Sequence, residues 1–425
     1  MRKTYQVIEY GSFVRGKSVN GYISLPDNTF DALEDFILSN NNRDEEALDI
    51  MGISFKKGIG KIITAKNYVG VITMKDGTTI EILPKIYSQE QTIEDKAKKL
   101  LVDMLKTLRK TPYKYVQTAN VNVDKMNIFE IFIRMFIDEV FLIVKRGLNS
   151  NYETIQSNGN VFKGKMKFAE QIKYNYAHKE HCYVEYDEFN TNCPENKLLK
   201  STLLYLYKST YSLKNKNDIK ILLNSFSEVD ESVDYKGDFE KIVPDRNKKD
   251  YTNALLWSKI FLMGKSFTSF SGSNVAFALM FPMETLFESY IATLLRKNLN
   301  MSEYSISIQD RTYHLFDEPN KKFLIKPDIV IKNKKNNNIF ILDTKWKVLS
   351  NQKSNYGISQ SDIYQMYAYH KKYEAKNVIL LYPLSEKITM NKPIEFKSKD
   401  NVIVKVRFID LFNSKESINN LISEL

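Results

Sequence analysis

The period of apolar and polar positions changes several times along the chain, and each change predicts an element. Residues 67–87, NYVGVITMKDGTTIEILPKIY, hold two β-branched runs around Asp76-Gly77, which predicts a hairpin. The first ninety or so residues read as β-rich. From Thr92 to about Lys110 the pattern turns helical, with Thr92 as its cap. Residues 128–147, IFEIFIRMFIDEVFLIVKRG, predict a longer helix. Glu130, Arg134 and Asp138 recur every four residues there and draw a polar line down one face, the mark of a buried soluble helix and not of a membrane span. The segment from Cys193 to Leu213 has the same period. Residues 227–253 are polar and broken by Gly237 and Pro244, and read as a connection. A helix over 254–266 follows, then a small polar stretch that marks a domain boundary.

Beyond that boundary the order is a helix (PMETLFESYIATLLRKNL), two strands within 326–347, a helix (SQSDIYQMYAYHKKY) and an apolar strand (NVILLYP). The pattern divides the chain into a β-rich region over 1–110, a mainly helical region over 111–270 and a mixed α/β region over 271–425. The fold class expected is α+β and multidomain, with a mixed central sheet in the last region.

Composition changes this picture little. A net charge of +11 and a pI near 9.1 favour polyanionic partners. Two cysteines and four histidines give no ground for a disulfide framework or a zinc site, and fit a reducing cytoplasm. The first residues, MRKTYQVIEYGSF, lack the apolar core of a secretion signal. A phosphate-binding loop is also excluded. In its nearest counterpart, KKGIGKII, no glycine stands at 55 or 56, and Ile62 follows Lys61 where a hydroxyl is required.

The chemistry concentrates in KPDIVIKNKKNNNIFILDTKWK, residues 326–347. Two apolar strands joined by a Lys/Asn turn place the start of the first beside the end of the second. Asp328 then lies near Asp343, and alternation puts Lys345 on the same face as Asp343. Two close carboxylates repel each other, and a shared hard cation such as Mg²⁺ relieves the repulsion. Such an ion can activate water and offset charge on a phosphodiester, with Lys345 assisting. Acid-x-Lys triplets are frequent in so lysine-rich a chain, but none of the others follows an apolar run matched to an upstream Pro-Asp.

Pro327-Asp328 with Asp343-x-Lys345 resembles the signature of the P-D…(D/E)-x-K nuclease superfamily. In that frame the preceding helix supplies a glutamate to the metal site, and Glu288 is preferred over Glu284. Gln365 and Tyr369 match the Q-x-x-x-Y motif of a RecB-like branch, although ordinary packing could also explain the tyrosine. Residues 142–168 and 183–206, with the C-terminal motif order, resemble the McrC family, the nuclease subunit of McrBC-type modification-dependent restriction systems. The resemblance implies a restriction-endonuclease-like C-terminal domain whose catalytic set is Asp328, Asp343, Lys345, Glu288, Gln365 and Tyr369. Asp328, Asp343 and Glu288 would hold Mg²⁺, with Mn²⁺ as a substitute. It further implies double-stranded, methylcytosine-containing DNA as substrate, and an McrB-like hexameric AAA+ GTPase as the partner that recognises it and is stimulated. Residues 1–110 would dock that partner, no nucleotide site lies in this chain, and no membrane is involved. Two other readings stay open: a non-catalytic DNA-binding or regulatory subunit, and a RecB-like repair nuclease.

Overall fold

A computed structural model describes residues 3–40, 50–74, 76–85, 93–107, 127–242, 249–263, 275–385, 388 and 394–425. Their contacts group into two compact units, Met1–Ile128 with Ser266–Leu425, and Phe129–Lys265.

The N-terminal part of the first unit runs β1 (Thr4–Ile8), β2 (Ser12–Arg15), β3 (Ile23–Leu25), α1 (Asp27–Asn40), β4 (Met51–Lys56), β5 (Gly60–Ala65), β6 (Tyr68–Met74), β7 (Thr79–Leu83) and α2 (Ile93–Leu105). The expected hairpin is β6–β7, antiparallel with Thr73 opposite Thr79, and Asp76 Oδ1 accepts the Thr78 N–H at 2.7 Å to close the turn. Val69, Val71, Ile72, Ile80 and Ile82 are wholly buried, and burial is nearly continuous along both strands, as befits interior strands covered on both faces. The phosphate-loop look-alike is the turn of the antiparallel β4–β5 hairpin, with no helix to follow it. Thr92 and the boundary stretch after residue 266 lie outside the described residues.

The second unit contains nearly all of α3 (Ile128–Arg146), then β8 (Asn151–Gly159), β9 (Lys165–Met166), α4 (Phe168–Asn175), β10 (Cys182–Asn190), α5 (Pro194–Ser209), α6 (Leu213–Ser225), α7 (Tyr235–Lys241) and α8 (Lys249–Met263). Aromatic packing ties α3 to α8, with Phe132 5.7 Å from Trp257 and Trp257 stacked on Phe261 at 5.6 Å. The polar line on α3 is a set of satisfied buried charges. Arg134 bridges Asp138 and Asp218. Glu130 accepts from Thr210 Oγ1 at 2.6 Å, Tyr211 N at 2.7 Å and Asn215 Nδ2 at 2.8 Å. Glu130→Ala strands these buried donors, and is expected to destabilise the unit by about 3 kcal/mol. Urea unfolding followed by Trp257 fluorescence checks this, with Glu130→Gln recovering part of the loss.

Two features here were not expected. The presumed connection at 227–253 contains α7, anchored by a 2.7 Å bond from the Ser232 hydroxyl to the buried Asp238 carboxylate. The helical region also carries an antiparallel ribbon, β8 against β10, nine residues a side. Neither strand has a fully buried face, so the alternation that announces most strands is missing. Tyr152 and Phe189 pair across it at 5.0 Å and remain 75% and 61% exposed.

The chain returns to the first unit with β11 (Val275–Pro282), α9 (Met283–Asn298), β12 (Tyr304–Ile308), β13 (His314–Phe316), β14 (Lys322–Leu324), β15 (Ile329–Asn333), β16 (Ile339–Thr344), α10 (Gln360–Tyr373), β17 (Asn377–Pro383), β18 (Ile394–Lys397), β19 (Ile403–Ile409) and α11 (Ser414–Ser423). β11 pairs with β6, completes the N-terminal sheet and runs directly into α9. The other large sheet is mixed and six-stranded, in the order β12-β15-β16-β17-β19-β18. Its centre, β16-β17-β19, is parallel, and the outer pairs are antiparallel. Met366, Tyr369 and Tyr373 of α10 pack with Ile341, Leu380 and Tyr382 in one core. The fold is thus α+β, with a mixed sheet as its C-terminal centre.

Candidate active site

Antiparallel register places Ile329 opposite Leu342, so the next pair outward is Asp328 and Asp343. Thr344, one residue on, donates to Asp328 Oδ2 from both its N–H and its hydroxyl, each at 2.8 Å. Asp328 is fixed by the backbone of the strand that bears Asp343. Burial nonetheless raises its pKa, outweighing the Thr344 bonds and the nearby lysines.

Asp343 sits on β16 between two neighbouring strands and is 1% exposed. Burial first, and then the Asp328 charge, push its pKa to about 7. Lys345 lies 2.7 Å from Asp343 Oδ2 and donates to Gln365 Oε1 at 3.1 Å. Burial pulls the lysine pKa down, but the Asp343, Asp362 and Asp328 charges lift it above the usual value, so the ammonium stays charged. Gln365 Nε2 in turn donates to the Tyr369 hydroxyl at 2.7 Å. The four-residue spacing on α10 puts both side chains on the face that meets Lys345.

Glu288 enters from α9. Gln309 Nε2 donates to its Oε2 at 3.2 Å. Its pKa is about 7, raised by burial and by Asp328, with a smaller push from Asp343. Glu284, one turn earlier, instead accepts from the Asn67 amide. Asp328, Asp343, Lys345, Gln365 and Tyr369 therefore form one linked cluster, and Glu288 is joined to it through charge. Among the described residues no group of three or more Asp, Glu, His or Cys stands close enough to hold a metal ion. The donor chemistry still suits a hard divalent cation. The donors are all carboxylate oxygens, and Asp343 Oδ2 has no partner beyond the Lys345 ammonium.

Several neighbours escaped the sequence reading. Asp362, at the start of α10, lies 3.8 Å from Lys345 and 3.1 Å from Lys347. Its one sequence signal is Ser359-x-x-Asp362, an N-terminal cap in which Ser359 Oγ accepts the Asp362 N–H at 3.2 Å. Glu9 of the N-terminal part accepts from Trp346 Nε1 at 3.1 Å and from Lys85 N at 2.8 Å. Burial raises the Glu9 pKa to about 7 against the pull of those bonds. The Trp346 ring packs 5.4 Å from Phe287, the residue before Glu288. No local pattern could have linked Glu9 to position 346.

A family model described as the McrBC 5-methylcytosine restriction system component matches residues 63–383. The chain belongs to the McrBC family. The matched span contains all six residues singled out from the sequence, together with Asp362. Among solved structures, the chain resembles the refined half-complex from a tetradecameric assembly of Thermococcus gammatolerans McrB AAA+ hexamers with bound McrC. The TM-score is 0.71 at 17% identity, over 99% of this chain and 100% of that one. It also resembles the cryo-EM structure of the Thermococcus gammatolerans McrBC complex, with a TM-score of 0.51 at 18% identity over 70% and 88% of the two chains. At such identities the likeness is one of fold. A comparison with curated proteins gives no match. Among the described residues no helix is long and apolar enough to cross a membrane.

Proposed function

We propose that this chain is the metal-dependent DNA endonuclease subunit of a two-component, modification-dependent restriction system. The observation that carries the reading is the meeting of Asp328, Asp343 and Lys345 at one hairpin end, in a chain of the McrBC family. Asp328 and Asp343, with Glu288, would hold Mg²⁺ (or Mn²⁺), which supplies a Lewis acid and an activated water for phosphodiester hydrolysis. Thr344 keeps Asp328 turned toward Asp343. Gln365, braced by Tyr369, holds the Lys345 ammonium where it can offset negative charge on a phosphate.

The partner in this reading is an McrB-like AAA+ GTPase hexamer that recognises methylcytosine-containing duplex DNA and whose hydrolysis this chain stimulates. The solved neighbour in which McrC is bound to McrB AAA+ hexamers supports an AAA+ hexamer as the partner. Residues 1–110 would be the docking region, as the resemblance implies. The exposed aromatics of the β8–β10 ribbon offer a second surface that suits a protein partner. Family membership favours restriction over RecB-like repair. A regulatory, non-cutting subunit is the one alternative with an observation behind it, namely the lack of a gathered three-carboxylate cluster among the described residues.

The test is cleavage of methylated and unmethylated plasmid in Mg²⁺, with and without the partner and GTP. Cutting that requires methylation, partner and metal is expected. Stimulated GTP hydrolysis without any cutting would instead establish the regulatory subunit.

A further inference from the structure

Beside the carboxylate cluster lies a cavity of about 640 Å³, with Tyr10, Lys85, Trp346, Lys347 and Lys353 in its walls. None of the described residues lining it is an acid. Three ammonium groups around one concavity focus a positive potential, and lysines, which only donate, suit phosphate oxygens. Asp362 ties this cavity to the site, since its carboxylate spans Lys347 at 3.1 Å and Lys345 at 3.8 Å. The rim beside Lys353 is a constrained turn, in which Asn355, Tyr356 and Gly357 take φ values of 49°, 59° and 86°. That conformation is costly for a tyrosine, and such turns persist where the surroundings enforce them. A Cβ at Gly357 would stand 3.1 Å from Lys353 Cδ, so the glycine leaves room for the lysine stem along the rim.

We infer that this cavity seats the phosphate backbone of duplex DNA where a strand leaves the carboxylate cluster, with Lys85 and Lys353 each neutralising one phosphate. The inference rests on the nuclease reading, and gives the N-terminal part of the first unit a share in holding the substrate. The basic balance of the chain alone does not imply it. A second lysine-rich cavity, about 820 Å³, has Lys99 and Lys297 in its walls but also Asp103 and Glu416. Its α9 residues Tyr290, Thr293 and Lys297 lie on the helix face opposite Glu288. It serves as a charge-matched control.

The experiment is fluorescence anisotropy of a short labelled duplex with the full chain, in EDTA so that nothing is cut, over a salt series. Each lysine–phosphate contact adds about one to the slope of log affinity against log salt. Lys85→Ala/Lys353→Ala is expected to lower that slope by about two, and Lys99→Ala/Lys297→Ala to leave it unchanged. Equal losses in both variants, or no loss in the first, would overturn the inference while leaving the nuclease reading intact. Displacement of the duplex by a stoichiometric amount of GMP would make the cavity a mononucleotide site and overturn it as well. A wild-type chain that binds no duplex would also overturn the inference, while the nuclease reading, in which the partner recognises the DNA, would still rest on the cleavage test.

Discussion

Asp343→Asn is expected to abolish Mg²⁺-dependent cleavage and, in metal-free buffer, to raise the melting temperature. Asp343 is 1% exposed, and burial with the Asp328 charge holds its pKa near 7. Near pH 8 the folded protein therefore carries a buried charge that costs more than it does in the unfolded chain. The shift from an ordinary aspartate corresponds to roughly 4 kcal/mol at most. That figure is already net of the 2.7 Å ion pair with Lys345; the amide removes the cost, but the half-buried ammonium left without Asp343 returns part of the gain. A net gain of about 1–2 kcal/mol follows, or several degrees. Cleavage is expected to fall by about 10²–10³-fold or more, the scale for losing one group that stabilises developing charge. Thermal melts and plasmid cleavage on the same preparation check both halves. Unchanged cutting would remove Asp343 from the chemistry, and a lower melting temperature would mean that the Lys345 pair outweighs the repulsion.

The part of this site that was legible in sequence is the part built from local rules. A polar turn between two apolar runs fixes a hairpin, the hairpin fixes which ends meet, and alternation puts Asp343 and Lys345 on one face. Helical spacing did the same for Gln365 and Tyr369. The residues that hold these groups in place were not legible, because their partners come from elsewhere in the chain. Thr344 reaches Asp328 across the hairpin, Gln309 reaches Glu288 from another element, and Glu9 reaches Trp346 over a separation of 337 residues. The fold divides in a similar way. Buried strands and amphipathic helices announced themselves, whereas the β8–β10 ribbon did not, since no hydrophobic alternation is needed where no face is buried. That β11, starting at Val275, would complete a sheet begun by β1 at Thr4 is a property of the tertiary contacts, and a periodicity window cannot register it.

The stability of the first unit is expected to fall as the pH rises from about 5 to about 8 without metal, and Mg²⁺ is expected to restore most of the loss at the upper end. Glu9, Glu288 and Asp343 each have a pKa near 7, with burial as the leading cause. A raised carboxylate pKa means that the folded state binds more protons than the unfolded state between about pH 4.5 and 7, so the slope of unfolding free energy with pH is negative there. The destabilisation is complete above the folded pKa. Three such groups would give roughly 10 kcal/mol if independent. Glu288 and Asp343 feel the same Asp328 charge, and Lys345 offsets part of it, so a total of about 3–5 kcal/mol is the better expectation. Mg²⁺ binds the deprotonated folded state, and its stabilising increment should be larger near pH 8 than near pH 5. Two variants separate the contributions. Glu9→Gln keeps an acceptor for Trp346 Nε1, and should flatten the metal-free slope while leaving the Mg²⁺ increment whole. Asp343→Asn should flatten the slope and remove the increment as well. Melts of the three proteins at the two pH values, in EDTA and in Mg²⁺, decide the matter. An increment that ignores pH, or that survives in Asp343→Asn, would place the metal somewhere other than these carboxylates.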